Sequence, residues 1–179
     1  MNDIVIVSGS PGSGKTTVAR LLAERFTRSV HLHTDDFWHA IVRGGIPPYL
    51  PEADRQNQTV VGAIAAAATG YAAGGFTAIV DGVVGPWMLH HYRRAAKQQA
   101  GVVLHYVVLR PDRGVALRRA QQRTAPGALV DEEPILALWD QFGELGELGG
   151  HAFDTTRLDA AETARLVSQE LASGGLRLG

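Results

Sequence analysis

The most constraining feature of the sequence is an eight-residue pattern near its start. Residues 9–16 read G-S-P-G-S-G-K-T and match the pattern G-x-x-x-x-G-K-[ST] in full. A β-branched run, residues 4–7, precedes the pattern, and apolar residues at helical spacing follow it. A strand, a glycine-rich turn and a helix in this order place backbone amides and the positive end of a helix around one anion. The pattern therefore predicts a phosphate-binding loop.

Each residue type in this loop has a task in binding a nucleoside triphosphate. Glycines let the backbone approach the phosphate oxygens, Lys15 reaches the β and γ phosphates, and the Thr16 hydroxyl takes one position on Mg²⁺. The guanine-recognition pattern N-K-x-D is absent, since the only asparagines are Asn2 and Asn57. We therefore predict ATP and Mg²⁺ as the bound groups. The candidate nucleotide-binding residues of the loop and the following turn are Gly9, Ser10, Pro11, Gly12, Ser13, Gly14, Lys15, Thr16 and Thr17.

Strand and helix patterns alternate along the rest of the chain, which predicts an α/β fold with a parallel sheet covered on both faces. The expected strands are residues 4–7, 30–34, 76–80, 102–109 and 152–154. The expected helices are residues 16–26, 53–73, 86–99, 112–123, 132–144 and 160–172. Because no repeat or long linker interrupts this alternation, we expect a single domain over residues 1–179. Ligands in such sheets bind at the carboxyl ends of the strands.

Composition narrows the possible partners. The 17 basic and 18 acidic residues leave a net charge of −1, so no positive field draws the chain to nucleic acid or to an anionic membrane. Cysteine is absent, which excludes disulfides and thiolate sites. No apolar stretch approaches the ~20 residues of a membrane span, and the first residues lack a signal-peptide pattern. We therefore expect a cytoplasmic protein; the sequence does not indicate its oligomeric state.

Carboxylates follow two of the expected strands. Asp35 and Asp36 follow the second strand, where a phosphotransferase needs a carboxylate to orient an acceptor hydroxyl and accept its proton. We predict Asp35 as the catalytic residue and Asp36 as an acceptor contact; the alternative is that the pair caps the next helix. Asp81 follows the third strand and is predicted to serve Mg²⁺ or the acceptor, or else to cap a helix or brace a loop. Trp87 lines the acceptor pocket or packs in the core.

Arginines concentrate on the helix after the fourth strand. Arg119 and Arg123 are four residues apart, which places them on one helical face. Arginines aimed at the transferring phosphoryl group stabilise its negative charge, so we predict both as catalytic, with Arg119 also touching the nucleotide. The alternative is a solvated basic face. His31 and His33 alternate on a strand, but no third metal ligand accompanies them.

With these features in place, the chain resembles the phosphate-loop kinases that include chloramphenicol phosphotransferase, gluconate and shikimate kinases and the phage polynucleotide 5′-kinase domain. The resemblance implies a three-layer αβα P-loop NTPase fold, a five-stranded sheet in the order 2-3-1-4-5, and an arginine-bearing lid at roughly residues 118–131. It implies that Asp35 is the general base. It also implies that the segment containing Thr155 and Thr156 lines the adenine. An arginine that helps the polynucleotide kinases to bind the acceptor phosphate is replaced here by Trp38.

The sequence therefore predicts an ATP-dependent phosphotransferase that moves the γ-phosphate of Mg-ATP to a hydroxyl of a small molecule. Trp38 and the near-neutral charge argue against nucleic acid as the acceptor. Two alternatives stay open: a nucleoside, nucleotide or polynucleotide 5′-hydroxyl kinase, and a non-catalytic ATP-binding module. Nothing in the sequence identifies the acceptor.

Overall fold

A parallel sheet lies at the centre of the structure. The computed structural model describes residues 2–124 and 127–179, and within them five strands pair in the order β2-β3-β1-β4-β5. All four strand pairs are parallel. The strand order implied by the family resemblance is confirmed. The strands are β1 (Asn2–Ser8), β2 (Ser29–His33), β3 (Thr77–Gly82), β4 (Val102–Leu109) and β5 (Ala152–Phe153).

Helices cover both faces of the sheet and give the predicted three layers. The α-helices are α1 (Lys15–Ala23), α2 (Thr34–His39), α3 (Asp54–Ala73), α4 (Leu89–Lys97), α5 (Arg113–Gln121), α6 (Glu132–Asp140) and α7 (Ala160–Ser173). Short 3₁₀ turns precede α3 (Pro51–Ala53), α4 (Pro86–Met88) and β5 (Gly146–His151). Side chains alternate along β1, so Ile4 and Ile6 pack under α3 and α4 while Val5 and Val7 pack under α1 and α7.

The element ends differ from the predicted ones at the two places that matter for the site. Asp81, expected just after the third strand, lies inside β3, which continues to Gly82. Thr34, expected in the second strand, is instead the first residue of α2. Strand pairing causes the first difference, because Val7 and Ser8 of β1 hold Asp81 and Gly82 in register. Asp81 in β3 and Asp35 in α2 therefore both lie on regular backbone.

The C-terminal residues form a contact that the sequence did not predict. His105 of β4 forms an antiparallel bridge with Arg177. The backbone amide of Tyr106 donates to the carbonyl of Leu176, and the amide of Leu178 donates to the carbonyl of Leu104, each at 2.9 Å. Because β5 pairs only with Val108 and Leu109, this segment satisfies part of the β4 edge that β5 leaves uncovered.

Candidate active site

The loop between β1 and α1 has the backbone conformation of an anion cradle. Gly9, Gly12 and Gly14 all have positive φ angles, of 147°, 79° and 86°. A Cβ atom on Gly12 would lie 2.0 Å from the carbonyl oxygen of Ala116 in α5. Glycine is therefore required at this position both by the backbone conformation and by the close approach of α5.

Three polar side chains of the loop are buried and leave capacity for a ligand. Ser10 Oγ and Ser13 Oγ have no hydrogen-bond partner among the residues that the structure describes. Lys15 Nζ is also buried and donates to the carbonyl of Ser10 at 3.3 Å. An unpaired buried hydroxyl costs about 1–3 kcal/mol, and phosphate oxygens would accept hydrogen bonds from all three groups. This donor set fits the triphosphate of ATP.

Four charged side chains from four parts of the chain converge on the loop. Burial, followed by the positive charge of Arg123, lowers the pKa of Lys15 to about 8, while Asp35 and Asp81 oppose this shift. Contacts place these groups around the loop: Asp81 accepts from Thr16, the neighbour of Lys15, and His33 lies against both Asp81 and Asp35. Arg123 follows the end of α5, whose residues Ala116 and Ala120 lie against Gly12 of the loop.

Asp81 is the most fully bonded group of the site. Its side chain is fully buried, and its Oδ2 accepts a 2.6 Å hydrogen bond from the Thr16 hydroxyl. His31 Nε2 lies 2.6 Å from Oδ1, and His33 Nδ1 lies 3.1 Å from Oδ1 and 3.2 Å from Oδ2. Burial alone raises the pKa of Asp81, but the hydrogen bonds from His31, His33 and Thr16 hold it well below its ordinary value. The same contact with Asp81 raises the pKa of His33.

The pair Thr16 and Asp81 fits a magnesium ion. Hydroxyl and carboxylate oxygens are the ligand types that Mg²⁺ takes in phosphate-transfer sites, in combination with the phosphates themselves. The helix-capping alternative for Asp81 is wrong, because the residues at the N-terminal caps of the next 3₁₀ turn and of α4 are Gly85 and Met88. The two histidine contacts were missed by the sequence analysis. Only the strand register, which pairs His33 with Asp81, could have indicated them.

Asp35 and Asp36 lie in the first turn of α2, directly beyond the carboxyl end of β2. The α2 N-cap is His33, and no side-chain cap hydrogen bond is formed there, so the capping alternative for the pair is wrong. The Asp35 side chain is 63% exposed, and His33 Nε2 lies 3.6 Å from its Oδ2. The structure thus leaves one carboxylate open to solvent within electrostatic reach of Lys15.

The arginines differ from the predicted arrangement. Arg119 lies in α5, but α5 ends at Gln121, so Arg123 is not on a helical face with it. The amide of Arg123 donates to the carbonyl of Ala120 at 3.2 Å, which turns the chain after the helix. Arg119 and Arg123 are both exposed, and the positive charge of Arg123 helps to lower the pKa of Lys15. Part of the predicted lid, residues 125–126, lies outside the described residues.

The predicted adenine region borders a cleft of about 570 Å³ lined by Arg110, Pro111, Asp112, Trp139, Asp154, Thr156, Arg157 and Leu158. The Arg110 guanidinium lies 4.5 Å from the centre of the Trp139 ring, and Trp139 Nε1 donates to the Pro111 carbonyl at 2.9 Å. Thr156 Oγ1 accepts from the amide of Asp112 and also bonds Asp154. Thr155 is buried beside the cleft. Arg110 and Trp139 were not predicted, since they become neighbours only through the docking of α6.

The region around Trp87 has fewer internal contacts. Trp87 is 46% exposed, so the core-packing alternative is wrong, and its ring occupies the space beside Gly85 where a Cβ atom would lie.

Hydrogen bonds from α3 hold α2 and the loop that follows it. Asn57 of α3 accepts from Trp38 Nε1 of α2 at 2.9 Å and donates to the Pro48 carbonyl of the loop at 2.7 Å. A second polar residue, Gln56, bonds both the amide and the carbonyl of Ile46. Three consecutive amide residues, 56–58, at the start of an otherwise alanine-rich helix were the available signal for this tether.

With this geometry in place, comparison with known proteins assigns the family. Residues 4–145 match the family model of an AAA domain. The chain belongs to this family. The match runs from β1 through α6 and includes the phosphate-binding loop, Asp35, Asp81 and Arg123. A comparison with curated proteins gives no match.

Solved structures with the same fold include two kinases. A gluconokinase from Sinorhizobium meliloti has 22% identity and a TM-score of 0.68, with 96% of this chain and 93% of that chain covered. Shikimate kinase from Acinetobacter baumannii has 21% identity and a TM-score of 0.65, again with 96% and 93% covered. A chain of the Pnkp1/Rnl/Hen1 RNA repair complex has 19% identity and a TM-score of 0.61, with 83% and 46% covered. These likenesses establish the fold of this AAA domain.

Among the helices of this AAA domain that the structure describes, none combines the length and the apolar character that a membrane crossing requires.

Proposed function

We propose that this protein is an ATP-dependent kinase that transfers the γ-phosphate of Mg-ATP to a hydroxyl group of a small molecule. The observation that carries the proposal is an exposed carboxylate, Asp35, beside the phosphate-binding loop: His33 contacts both Asp35 and Asp81, and Asp81 accepts from Thr16 of the loop. A nucleotide-binding module needs the loop, the lysine and the magnesium residues. It has no need of a solvent-open carboxylate such as Asp35, which a phosphotransferase uses on the acceptor.

In this mechanism the loop amides, Ser10, Ser13 and Lys15 hold the phosphates, and Thr16 with Asp81 holds the metal. When bound by Thr16 and Asp81, Mg²⁺ would neutralise part of the negative charge of the phosphates. Asp35 orients the acceptor hydroxyl and takes its proton as the hydroxyl oxygen bonds to the γ phosphorus. The bond from the γ phosphorus to the bridging oxygen breaks, and ADP leaves. Arg123 stabilises the negative charge on the transferring group, with Arg119 joining it if residues 118–131 close over the site.

The acceptor side is the region between α2, the loop tethered by Asn57, and Trp87. Asp36 and Trp87 are the proposed acceptor contacts, since both are exposed and follow the carboxyl ends of neighbouring strands. Thr155 and Thr156 are proposed to line the base of the nucleotide beside Arg110. The kinases of similar fold act on small hydroxylated acids according to their names, which supports a small hydroxylated acceptor here.

A polynucleotide 5′-hydroxyl kinase is the second candidate, favoured by the structural similarity to a chain of the RNA repair complex. The net charge of −1 weighs against it, since phosphate contacts supply most of the affinity for nucleic acid. Oligonucleotide binding that weakens steeply with salt would favour this second candidate.

The test is ADP release with Mg-ATP across a panel of acceptors. The panel contains sugar acids, nucleosides, chloramphenicol-like and aminoglycoside antibiotics, and a 5′-hydroxyl oligonucleotide. An accepted compound should lose 10²-fold or more of its turnover in Asp35→Asn, because the general base is removed while ATP binding remains. Asp36→Asn is the matched control in the same helical turn and should alter the KM for the acceptor more than kcat.

Unchanged turnover in Asp35→Asn would remove this residue from the mechanism. Absence of transfer to every acceptor, with ATP still raising Tm, would favour the non-catalytic ATP-binding module.

A further inference from the structure

His31 and His33 are the two side chains of the site that the proposed chemistry does not use. The register of β2 against β3 places His33 beside Asp81 and His31 beside Ile79, so both rings lie on the same face of the sheet as the Asp81 carboxylate. Both donate toward Asp81, at 2.6 Å from His31 and 3.1 Å from His33. One carboxylate thus receives hydrogen bonds from two imidazoles as well as from Thr16.

The two histidines differ in what their second ring nitrogen faces. His33 Nδ1 contacts Asp81, and its Nε2 lies 3.6 Å from Oδ2 of Asp35. Among the described residues, the ionic contacts of His31 are limited to Asp81. His33 is therefore the side chain that spans the distance between the fully buried Asp81 and the 63% exposed Asp35.

His33 links the two acids through a hydrogen bond to Asp81 at 3.1 Å and an ionic contact with Asp35 at 3.6 Å. Within residues 2–124 and 127–179, no group of three or more His, Asp or Glu side chains is placed to hold a metal ion. The ring centroids of His31 and His33 are 6.5 Å apart and the rings are inclined at 53°, so they do not stack. Each ring is oriented by its own contact with Asp81.

We propose that His33 is a positioning residue that fixes Asp35, the candidate base, relative to Asp81, the candidate magnesium residue. Its catalytic consequence rests on the proposed kinase function. Asp35 stands on a helix of six residues and is otherwise exposed, so its carboxylate needs a support to stay in one rotamer. His33 supplies this support, because its Nε2 faces Asp35 while its Nδ1 is hydrogen-bonded to the fully buried Asp81. The acceptor side and the metal side are thereby held in one geometry, as transfer between two bound substrates requires.

The first experiment needs no acceptor and no turnover. Long-range ¹H–¹⁵N spectra of the histidine rings are recorded for the full chain, for Asp35→Asn and for Asp81→Asn, with assignments from His31→Gln and His33→Gln. The bridge requires that Asp35→Asn shift the ring nitrogens of His33 and leave those of His31 in place, and that Asp81→Asn shift both. Ring nitrogens of His33 that do not respond to Asp35→Asn would overturn the proposal, whatever the protein phosphorylates.

The second experiment separates positioning from folding, with an acceptor found in the panel above. His33→Asn keeps an amide donor close to the position of Nδ1 but cannot reach Asp35. It should lower kcat about 10-fold while the KM for ATP and the Mg²⁺ requirement change less than about twofold. His33→Ala, which also removes the donor to Asp81, should in addition raise the Mg²⁺ requirement. A wild-type kcat in His33→Asn, at a wild-type Tm, would overturn the proposal.

Discussion

The nucleotide side and the acceptor side of the site are built in opposite ways. On the nucleotide side, the loop lies between a buried strand and α5, and Asp81 is fully buried with its oxygens bonded to three side chains. On the acceptor side, Asp35 is 63% and Trp87 46% exposed, and the loop after α2 is held mainly by Gln56 and Asn57. The first region can bind one rigid group that many enzymes share, and the second can vary with the acceptor.

The largest effect expected from this difference is that of adding one methyl group to the nucleotide side. In Gly12→Ala the new Cβ would lie 2.0 Å from the Ala116 carbonyl oxygen, on a residue whose φ is 79°. The left-handed backbone would cost about 1–2 kcal/mol and the overpacking a further ~1–3 kcal/mol. We expect turnover to fall roughly 10²-fold or more and Tm to drop by several degrees. Calorimetry and the ADP assay measure the two effects.

Gly44→Ala is the matched control on the acceptor side. Its φ is 75°, but no atom of the residues that the structure describes lies within 4 Å of the position that a Cβ would take. It should show the cost of the backbone conformation alone and retain ATP binding. Equal loss of ATP binding in both variants would contradict the contrast between the two regions.

The next effect concerns Arg123, whose positive charge helps to lower the pKa of Lys15. Arg123→Ala should lower kcat by about 10²-fold, because one positive group aimed at the transferring phosphate is lost. Arg118→Ala serves as the control, since Arg118 is equally exposed but lies within α5 rather than beyond its end. Steady-state kinetics with varied ATP would show the decrease in kcat. A loss confined to the KM for ATP would instead make Arg123 a nucleotide-binding group.

The acceptor side should respond to the removal of its tether. Asn57→Ala breaks the hydrogen bonds to Trp38 and Pro48, and the buried groups left without partners cost about 1–3 kcal/mol. We expect a several-fold rise in the KM for the acceptor with the KM for ATP unchanged. Thr59→Ala, on the exposed side of α3, is the control. An equal change in both KM values would mean that the two sides do not act independently.

The sequence could predict the nucleotide side because its demands are local. Eight consecutive residues specify the loop, and a β-branched run specifies the strand before it, so neither depends on distant parts of the chain. The strand over Val102–Leu109 was predicted to the residue for the same reason. Asp35 and Asp81 were predicted from their positions after strands, although strand pairing extends β3 beyond Asp81.

The contacts that the sequence could not predict all depend on long-range register or docking. The pairing of His33 with Asp81 requires β2 to lie beside β3 in one register. The neighbourhood of Arg123 and Lys15 requires α5 to end two residues earlier than its pattern implies. The contact of Arg110 with Trp139 requires α6 to pack against the end of β4. The strand register, the end of α5 and the position of α6 are determined by packing of the core, where tertiary contacts override local preference.

The smallest expected effect is a proton taken up when ATP binds. The pKa of Lys15 is about 8 in the free protein, chiefly because of burial, and triphosphate charge should return it toward its ordinary value of about 10.4. At pH 8 roughly half of the lysines are neutral, so binding should take up about half a proton, and less at pH 7. Titration calorimetry at pH 8 in buffers of different ionisation enthalpy measures this number.

Lys15→Arg is the control, because a guanidinium stays charged and should take up no proton at this position. The lowered pKa of Lys15 also makes the stability of the folded protein depend on pH. The unfolded chain binds the proton more tightly than the folded one between about pH 8 and the ordinary lysine pKa, so across that window this lysine makes the free protein more stable as pH rises. ATP should abolish that gain, since it removes the difference between the two pKa values. Equal proton uptake in the wild type and in Lys15→Arg would show that another group takes up the proton. The burial of Lys15 would then have no part in the proton uptake that accompanies ATP binding.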